Sequence, residues 1–457
     1  MRRHFDYSPR GYRHRWWIGG GAVSSEVMLP AEESALLEDV LASGRISTVF
    51  QPIVDLETGS TVGYEALARG PRGPLERPDL LFTAARRAGR VAELDELCRG
   101  TAIRSAIEVG VHAPQTLFLN IEPEAADPST LDEVLELAAS AGDLGVVLEI
   151  TERALAARPA RLLATVARLR EAGWRIALDD VGADDLSLAF MPILRPDIIK
   201  LDMNLVQRRP DATVAAIHTA VDAYAERSGA VVLAEGIETA EHLQMARSLG
   251  ATLGQGWMYG RPGPSVPTQT GPVDGNVLVP PAPVDEQSRP FASPFDARPT
   301  GTSTRRAGRT LLYEISKHLE REAIRAGRTS VVVATFQWPE QFTGATRDRY
   351  VDVIREAGFV AAVCPVDEAD PVRGQWNVCV LSPHFAGALL ARDIDAPSTD
   401  PDRLFEFVVT HDRSAVAAAI GAVMTRLDPP AGDPVLVDID DGTVREVADL
   451  PRLKYLR

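Results

Sequence analysis

The chain is poor in cysteine: Cys98, Cys364 and Cys379 are the three in 457 residues, and their spacing is not that of a metal site. A disulfide framework is thereby excluded, and a reducing, cytoplasmic compartment is expected. No apolar run approaches the ~18–20 residues that a membrane helix needs, so no membrane span is expected. The stretch at Trp16, Trp17 and Ile18 is too short and too glycine-rich for a secretory signal. Positive charge is outnumbered, with 48 basic residues against 64 acidic and a net charge of -16. That balance argues against a general binder of nucleic-acid polymers, and leaves small anions accessible through metals or local basic groups. Lysine is scarcer still, because only Lys200, Lys317 and Lys454 occur and every other basic residue is arginine. What remains is an ordinary globular composition, 45% hydrophobic and 25% charged, long enough for two or three domains.

Residues 1–30 carry Arg2, Arg3, Arg10, Arg13 and Arg15 without apolar periodicity, and read as a basic, flexible arm. From 31 to 263 strand-like and helix-like patterns alternate. Ten prolines then fall between Pro262 and Pro299, so residues 264–305 read as a proline-rich linker. A second ordered region is expected over 306–457.

In the first region, short aliphatic runs recur at Thr48–Ile53, Thr61–Ala66, Thr116–Ile121, Val146–Ile150, Arg175–Leu178, Ile198–Leu201, Val231–Ala234 and Leu253–Gly256. Helical patterns such as Leu131–Ala139 and Ala160–Ala172 lie between them. Eight strands with intervening helices predict an α/β fold, a TIM-like (β/α)8 barrel. The segment Asp55-Leu56-Glu57-Thr58-Gly59 reads as a hairpin turn, so the first strand is expected to be antiparallel to the second.

Polar residues close these runs: Glu65, Asn120, Glu149, Asp179 with Asp180, Lys200 with Asp202, Glu235 and Gln255. In a barrel of this kind the strand ends share one face, where active sites lie. A single acid there is most simply a solvated loop residue, but acids on strand after strand point to a site. Such like charges demand cations, and an all-oxygen set with one amide suits Mg²⁺ or Mn²⁺. An adjacent aspartate pair suits two metals ~3.5–4 Å apart, as in phosphoryl transfer. Lys200, the first lysine in the chain, falls where a compact ammonium serves better than a guanidinium.

At these residues the sequence resembles the EAL-domain family of cyclic-di-GMP phosphodiesterases. The resemblance rests on Phe50-Gln51-Pro52-Ile53-Val54, Tyr64-Glu65-Ala66-Leu67-Ala68-Arg69, Leu119-Asn120, Leu148-Glu149-Ile150-Thr151-Glu152, Ala177-Leu178-Asp179-Asp180, Ile199-Lys200-Leu201-Asp202, Ala234-Glu235-Gly236-Ile237-Glu238-Thr239 and Gln255-Gly256, in order over about residues 35–263. It implies hydrolysis of cyclic-di-GMP to linear pGpG with two Mg²⁺ or Mn²⁺ ions per site. It implies one metal on Glu65, Asn120, Glu149 and Asp179, and a second on Asp179, Asp180 and Glu235. Lys200 and Gln255 would orient or help activate the attacking water. Gln51, Arg69 and Asp202 would contact the substrate, and Glu152 would brace the loop after the aspartate pair. A homodimer formed through the barrel is also implied.

One segment departs from the family text Phe-Gly-Thr-Gly-Tyr-Ser-Ser-Leu, which here reads Val181-Gly182-Ala183-Asp184-Asp185-Leu186-Ser187-Leu188. A lost glycine and two added acids put the loop's support of the second metal, and the rate, in question.

The second region is expected to be a mixed α/β domain. Its helices fall near Leu311–Ala326 and Ser414–Leu427, and its strands near Ser330–Phe336, Phe359–Cys364, Trp376–Leu381, Leu404–Thr410 and Val435–Ile439. It resembles the DICT sensory domain through Thr335-Phe336-Gln337-Trp338, the 350–363 segment and Trp376-Asn377-Val378. Trp338, Phe342, Trp376 and Phe385 are expected mainly as core, and Cys364 and Cys379 as buried thiols rather than a redox pair. The whole reads as a phosphodiesterase regulated by a C-terminal domain that answers an unknown signal or protein. A non-catalytic cyclic-di-GMP receptor is the alternative, and another metal-dependent barrel enzyme of enolase type a third.

Overall fold

The computed structural model describes residues 30–142, 144–266, 291–337, 341, 344–364, 369–394 and 403–427. The basic arm, the linker at 267–290, Trp338, Phe342 and the strand expected at Val435–Ile439 lie outside the described residues.

The first unit begins with α1 (Pro30–Ser43), β1 (Ser47–Asp55), β2 (Thr61–Arg69), α2 (Pro78–Ala88) and α3 (Val91–Glu108). It continues through β3 (Thr116–Asn120), α4 (Asp132–Ser140), β4 (Gly145–Ile150), α5 (Glu152–Ala157) and α6 (Pro159–Glu171). Next come β5 (Arg175–Val181), α7 (Leu186–Leu194), β6 (Ile198–Leu201), α8 (Met203–Gln207) and α9 (Ala212–Ser228). It ends with β7 (Val231–Ala234), α10 (Ala240–Ser248) and β8 (Leu253–Gln255). The strands close into a barrel in sequence order. β1 runs antiparallel to both β2 and β8, and all other neighbours are parallel. The β1–β2 hairpin turns as expected: Asp55 Oδ1 accepts the Glu57 and Thr58 amides, and Gly59 takes φ 71°.

Side chains alternate along each strand, and one set fills the barrel. Ile53, Val62, Phe118, Val147, Ala177, Ile198, Leu233 and Leu253 form that interior cluster. Outward residues such as Leu117, Leu119, Leu148, Ile176 and Ile199 pack beneath the helices.

The second unit contains β9 (Arg305–Gly308), α11 (Arg309–Ala326), β10 (Val331–Thr335), α12 (Ala345–Glu356) and β11 (Phe359–Val363). It is completed by β12 (Gln375–Leu381), β13 (Ala386–Asp393), β14 (Leu404–Thr410) and α13 (Arg413–Met424). Its sheet has the order β11-β10-β12-β13-β14-β9, with only β10 and β11 parallel. Val332, Ala334, Val378, Val380 and Leu389 share a core with Leu319 of α11 and Val353 of α12. Val331, Val333, Cys379, Leu381 and Leu390 face the other way, into a core shared with α13 and the barrel's outer layer.

Two expectations need adjustment. β13 lies in a stretch read without a strand, because its alanines, leucines and glycine carry no β-branched signal. The proline-rich segment also becomes structured before residue 305: Phe295 is 1% exposed in a turn at Pro294–Ala297 that packs on α13. Phe295, with Pro294 and Ala297, gives that end an apolar surface to bury.

Candidate metal centre

The same alternation that fills the barrel builds the site. Two residues beyond Phe118, Val147, Ala177, Ile198, Leu233 and Leu253 stand Asn120, Glu149, Asp179, Lys200, Glu235 and Gln255. Each polar group therefore rises on the interior side of its strand, one layer above the apolar plug. β1 runs the other way, so its contribution precedes Ile53: Gln51 pairs in register with Glu65. Gly63 precedes Glu65 by two residues, and an added Cβ there would lie 2.4 Å from the Thr116 carbonyl. Only glycine lets β2 approach β3 this closely.

Asn120 Nδ2 donates to Glu65 Oε1 at 3.0 Å, and Gln255 Nε2 donates to Glu65 Oε2 at 2.6 Å and to Gln51 Oε1 at 3.1 Å. Lys200, 1% exposed, holds Nζ 2.8 Å from Glu149 Oε1, 2.9 Å from Asp179 Oδ1 and 2.8 Å from Glu235 Oε1. Successive residues of a regular strand point to opposite faces, yet the carboxylates of Asp179 and Asp180 reach one cluster. Asp180 takes φ 55°, and this left-handed turn brings its carboxylate round. Carboxylate oxygens of Asp179, Asp180 and Glu235 lie within 4.8 Å of one another.

Five carboxylates around one ammonium leave a strong negative excess. Burial alone would depress the Lys200 ammonium, but Asp179, Glu149 and Glu235 outweigh it and hold the group well above the usual lysine range. Burial raises Glu149 well above a normal carboxyl, Lys200 opposing. It lifts Glu235 to about 8 and Asp180 to about 7, with Asp179 adding repulsion in both cases. Glu65 goes the other way, because Lys200, Gln255 and Asn120 overcome its burial. Glu149 Oε2 is buried without a hydrogen-bond partner. An unmatched buried oxygen amid convergent carboxylates and an amide is a donor set for hard divalent cations, and these residues fit them.

The remaining expected residues sit around this centre in different ways. Gln51 Nε2 donates to Gly260 O at 3.3 Å, and Arg69 Nη1 to Ala68 O at 2.8 Å from a half-buried position beside Glu65. Asp202 caps α8, its Oδ1 accepting the Asn204 amide at 2.8 Å and Asn204 Nδ2 at 2.7 Å. Glu152 opens α5 and is raised to about 7 by burial, with Asp184 of the altered loop contributing. The altered loop itself folds without strain at position 184, which is not among the residues with positive φ. Asp184 Oδ1 instead accepts the amide of Leu186, the first residue of α7, at 2.8 Å. Gly182 is the position that requires glycine, at φ 101° with an added Cβ only 2.1 Å from Leu205 Cδ1.

Sequence reasoning passed over Asp95 and Arg99. They form a sealed ion pair one turn apart on α3, and Asp95 Oδ1 accepts the Glu122 amide at 3.0 Å, two residues beyond Asn120. The signal was an acid and an arginine at i and i+4 within an otherwise apolar helix face.

Comparison with known proteins follows the same boundaries. The EAL domain family profile matches residues 33–262. The "Probable cyclic di-GMP phosphodiesterase PdeB" of Escherichia coli is 32% identical over 235 residues, covering 49% of this chain and 44% of that protein. The "Cyclic di-GMP phosphodiesterase RocR" of Pseudomonas aeruginosa is 29% identical over 232 residues, covering 49% of this chain and 59% of its own. Among solved structures, a manganese and cyclic-di-GMP complex of Klebsiella pneumoniae BlrP1 shares 28% identity at a TM-score of 0.44, over 48% of this chain and 56% of that one. The matched part of the chain covers between 30% and 59% of the length of curated relatives such as these.

Proposed function

Because residues 33–262 make this chain a member of the EAL domain family, we propose that it hydrolyses cyclic-di-GMP to linear pGpG with two Mg²⁺ or Mn²⁺ ions. The observation that carries this reading is the ring of Glu65, Asn120, Glu149, Asp179, Asp180 and Glu235 around Lys200, with Glu149 Oε2 unmatched. Glu65, Asn120, Glu149 and Asp179 would hold one ion, and Asp179, Asp180 and Glu235 the other. When bound, such ions neutralise the phosphodiester and lower the pKa of water.

The chain's own groups supply position. Lys200, whose burial is outweighed by Asp179, Glu149 and Glu235, would orient or help deprotonate the attacking water. Gln255 donates to both Glu65 and Gln51, and would help position that water. Arg69 would meet a phosphate, Gln51 and Asp202 would contact the dinucleotide, and Glu152 would brace the β5–α7 loop. In this proposal the second unit is a sensory domain of DICT type, joined through the proline-rich segment.

The altered loop 181–188 keeps a second reading alive, in which the chain binds cyclic-di-GMP without turning it over. Lys200 and Glu235 speak for turnover, since a receptor needs neither. Incubating the full chain with cyclic-di-GMP and Mg²⁺ or Mn²⁺, and following linear product by chromatography, decides between them. Binding without product favours the receptor, and absence of binding removes both readings.

A further inference from the structure

Helix α3 carries two opposite charges on its buried face. Asp95 is 3% exposed and Arg99 is 2% exposed, beside the buried Leu94, Cys98 and Ile103. One turn apart, they pair through Arg99 Nη1 and Asp95 Oδ2. The guanidinium's Nε and Nη2 have no hydrogen-bond partner among the described residues. A buried pair joined through one nitrogen adds little stability over apolar side chains of similar volume. Its presence needs another account, and the second oxygen of Asp95 supplies one.

That oxygen, Oδ1, accepts the amide of Glu122 at 3.0 Å and ties the helix to the loop beyond β3. Main-chain pairing thins out at this point. The pairing of β3 with β2 stops at Leu119, one residue short of Asn120, and its pairing with β4 ends at Asn120 opposite Glu149. The Ile121 amide still reaches Glu149 O, at 3.3 Å. Glu122 then leaves the sheet, and Pro123 after it has no N–H to offer. The Asp95 carboxylate therefore fastens the chain leaving β3 to the helical layer, two residues beyond Asn120. Arg86 of α2 grips the same loop through the side chains of Glu122 and Glu124, but from a half-exposed position. Asn120 itself donates from Nδ2 to Glu65 Oε1 at 3.0 Å. It is the neutral member of the ligand set, and a neutral oxygen draws a cation less than a carboxylate does. What it contributes depends on its being held in place.

We propose that Asp95 is a positioning residue of the metal centre: by accepting the Glu122 amide it holds the end of β3 and places the Asn120 side chain for a divalent cation. Arg99 keeps the Asp95 carboxylate turned to that amide. The proposal rests on the metal-dependent reading above, and its test reads metal directly.

The test uses the full chain and two double variants that both remove the ion pair. Asp95→Asn with Arg99→Met keeps an oxygen for the Glu122 amide, and Asp95→Ala with Arg99→Met does not. Neither strands a guanidinium, so a difference between them reports the acceptor and not a buried charge. Mn²⁺ affinity is measured by calorimetry without substrate, and thermal unfolding establishes that each variant is folded. The alanine pair should bind Mn²⁺ about fivefold or more weaker than the parent, and the asparagine pair within about twofold of it. Should the alanine pair fail to fold, Asp95→Leu with Arg99→Met fills the site without an acceptor and must show the same loss. Parent-like affinity in a folded variant without the acceptor overturns the proposal. Equal weakening in the asparagine pair overturns it too, because loss of the ion pair alone would then account for the effect. A parent that binds no Mn²⁺ removes the metal reading and the proposal together. If the parent binds Mn²⁺ but yields no linear product, the hydrolase reading fails while the positioning role is still judged on affinity.

Discussion

The ammonium of Lys200 lies 2.8 Å from Glu235 Oε1, linking the ends of the neighbouring strands β6 and β7 at the barrel mouth. Glu149 and Asp179 share the same nitrogen. A single buried cation therefore offsets carboxylates from three other strands.

Replacing Lys200 by methionine keeps the stem and removes the charge. Without metal, the variant should lose about 3–5 kcal/mol of stability, because buried carboxylates are left uncompensated. Saturating Mn²⁺ should restore part of the loss, while hydrolysis stays about 10²-fold or more below the parent. Thermal unfolding with and without Mn²⁺, alongside product chromatography, checks both. A metal-free variant as stable as the parent would contradict the electrostatic account.

Proton release should accompany metal binding. Asp180 at about 7 and Glu235 at about 8 hold protons below those values in the metal-free protein. A cation binds their ionised forms, so affinity should climb as the pH rises through 7 and 8, then level off. The sign for stability is the reverse. Carboxyls raised in the fold bind protons more tightly than in the unfolded chain, so the metal-free fold weakens as the pH rises towards their folded values. Calorimetric titration with Mn²⁺ in buffers of different ionisation enthalpy measures the release directly. Equal release at about pH 6.5 and about pH 9 would rule this out.

Asp95→Ala should be costly although it lies outside the metal centre. Arg99 is 2% exposed, and its Nε and Nη2 lack hydrogen-bond partners even with Asp95 present. Removing the aspartate strands a buried guanidinium, at about 3–5 kcal/mol. The double change Asp95→Ala with Arg99→Met should recover much of that loss. Denaturant unfolding of the single and double variants gives the coupling, and strictly additive losses would refute it.

The loop after β5 yields a contrast. Gly182→Ala should lower stability by about 1–3 kcal/mol and weaken Mn²⁺ binding, because the new methyl meets Leu205 in a left-handed backbone. Asp184→Gly, which restores the family's residue, should cost no more than about 1–2 kcal/mol through the lost bond to Leu186. On the proposed hydrolase reading, product formation by Asp184→Gly should stay within about threefold of the parent; a large gain would mean that the aspartate itself restrains turnover.

The acidic cluster at the barrel mouth was legible in the sequence because its pattern is periodic. Val147 with Glu149 and Ile198 with Lys200 repeat one pattern, an apolar plug and then a polar group two residues on. The reversed strand was legible too, through the Asp55–Gly59 turn. Other features left no local trace. β13 is written in alanine, leucine and glycine, residues that equally suit a helix, and only its neighbours β12 and β14 make it a strand. Asp202 reads as a substrate contact, and its second task, capping α8, shows only in the fold. The apolar run of α7 announced burial, but which surface covers it depends on residues more than a hundred positions later.

The barrel also has a seam. Phe50 and Gly263 exchange both backbone hydrogen bonds, at 2.7 Å and 3.0 Å, so the chain leaves the barrel laced to β1 one residue before Gln51. Where β1 meets β8 the register holds for only Ile53, Val54 and Asp55. This lacing lies on the strand that brings Gln51 to the mouth. The exit of the chain from the barrel and the site thus share one strand.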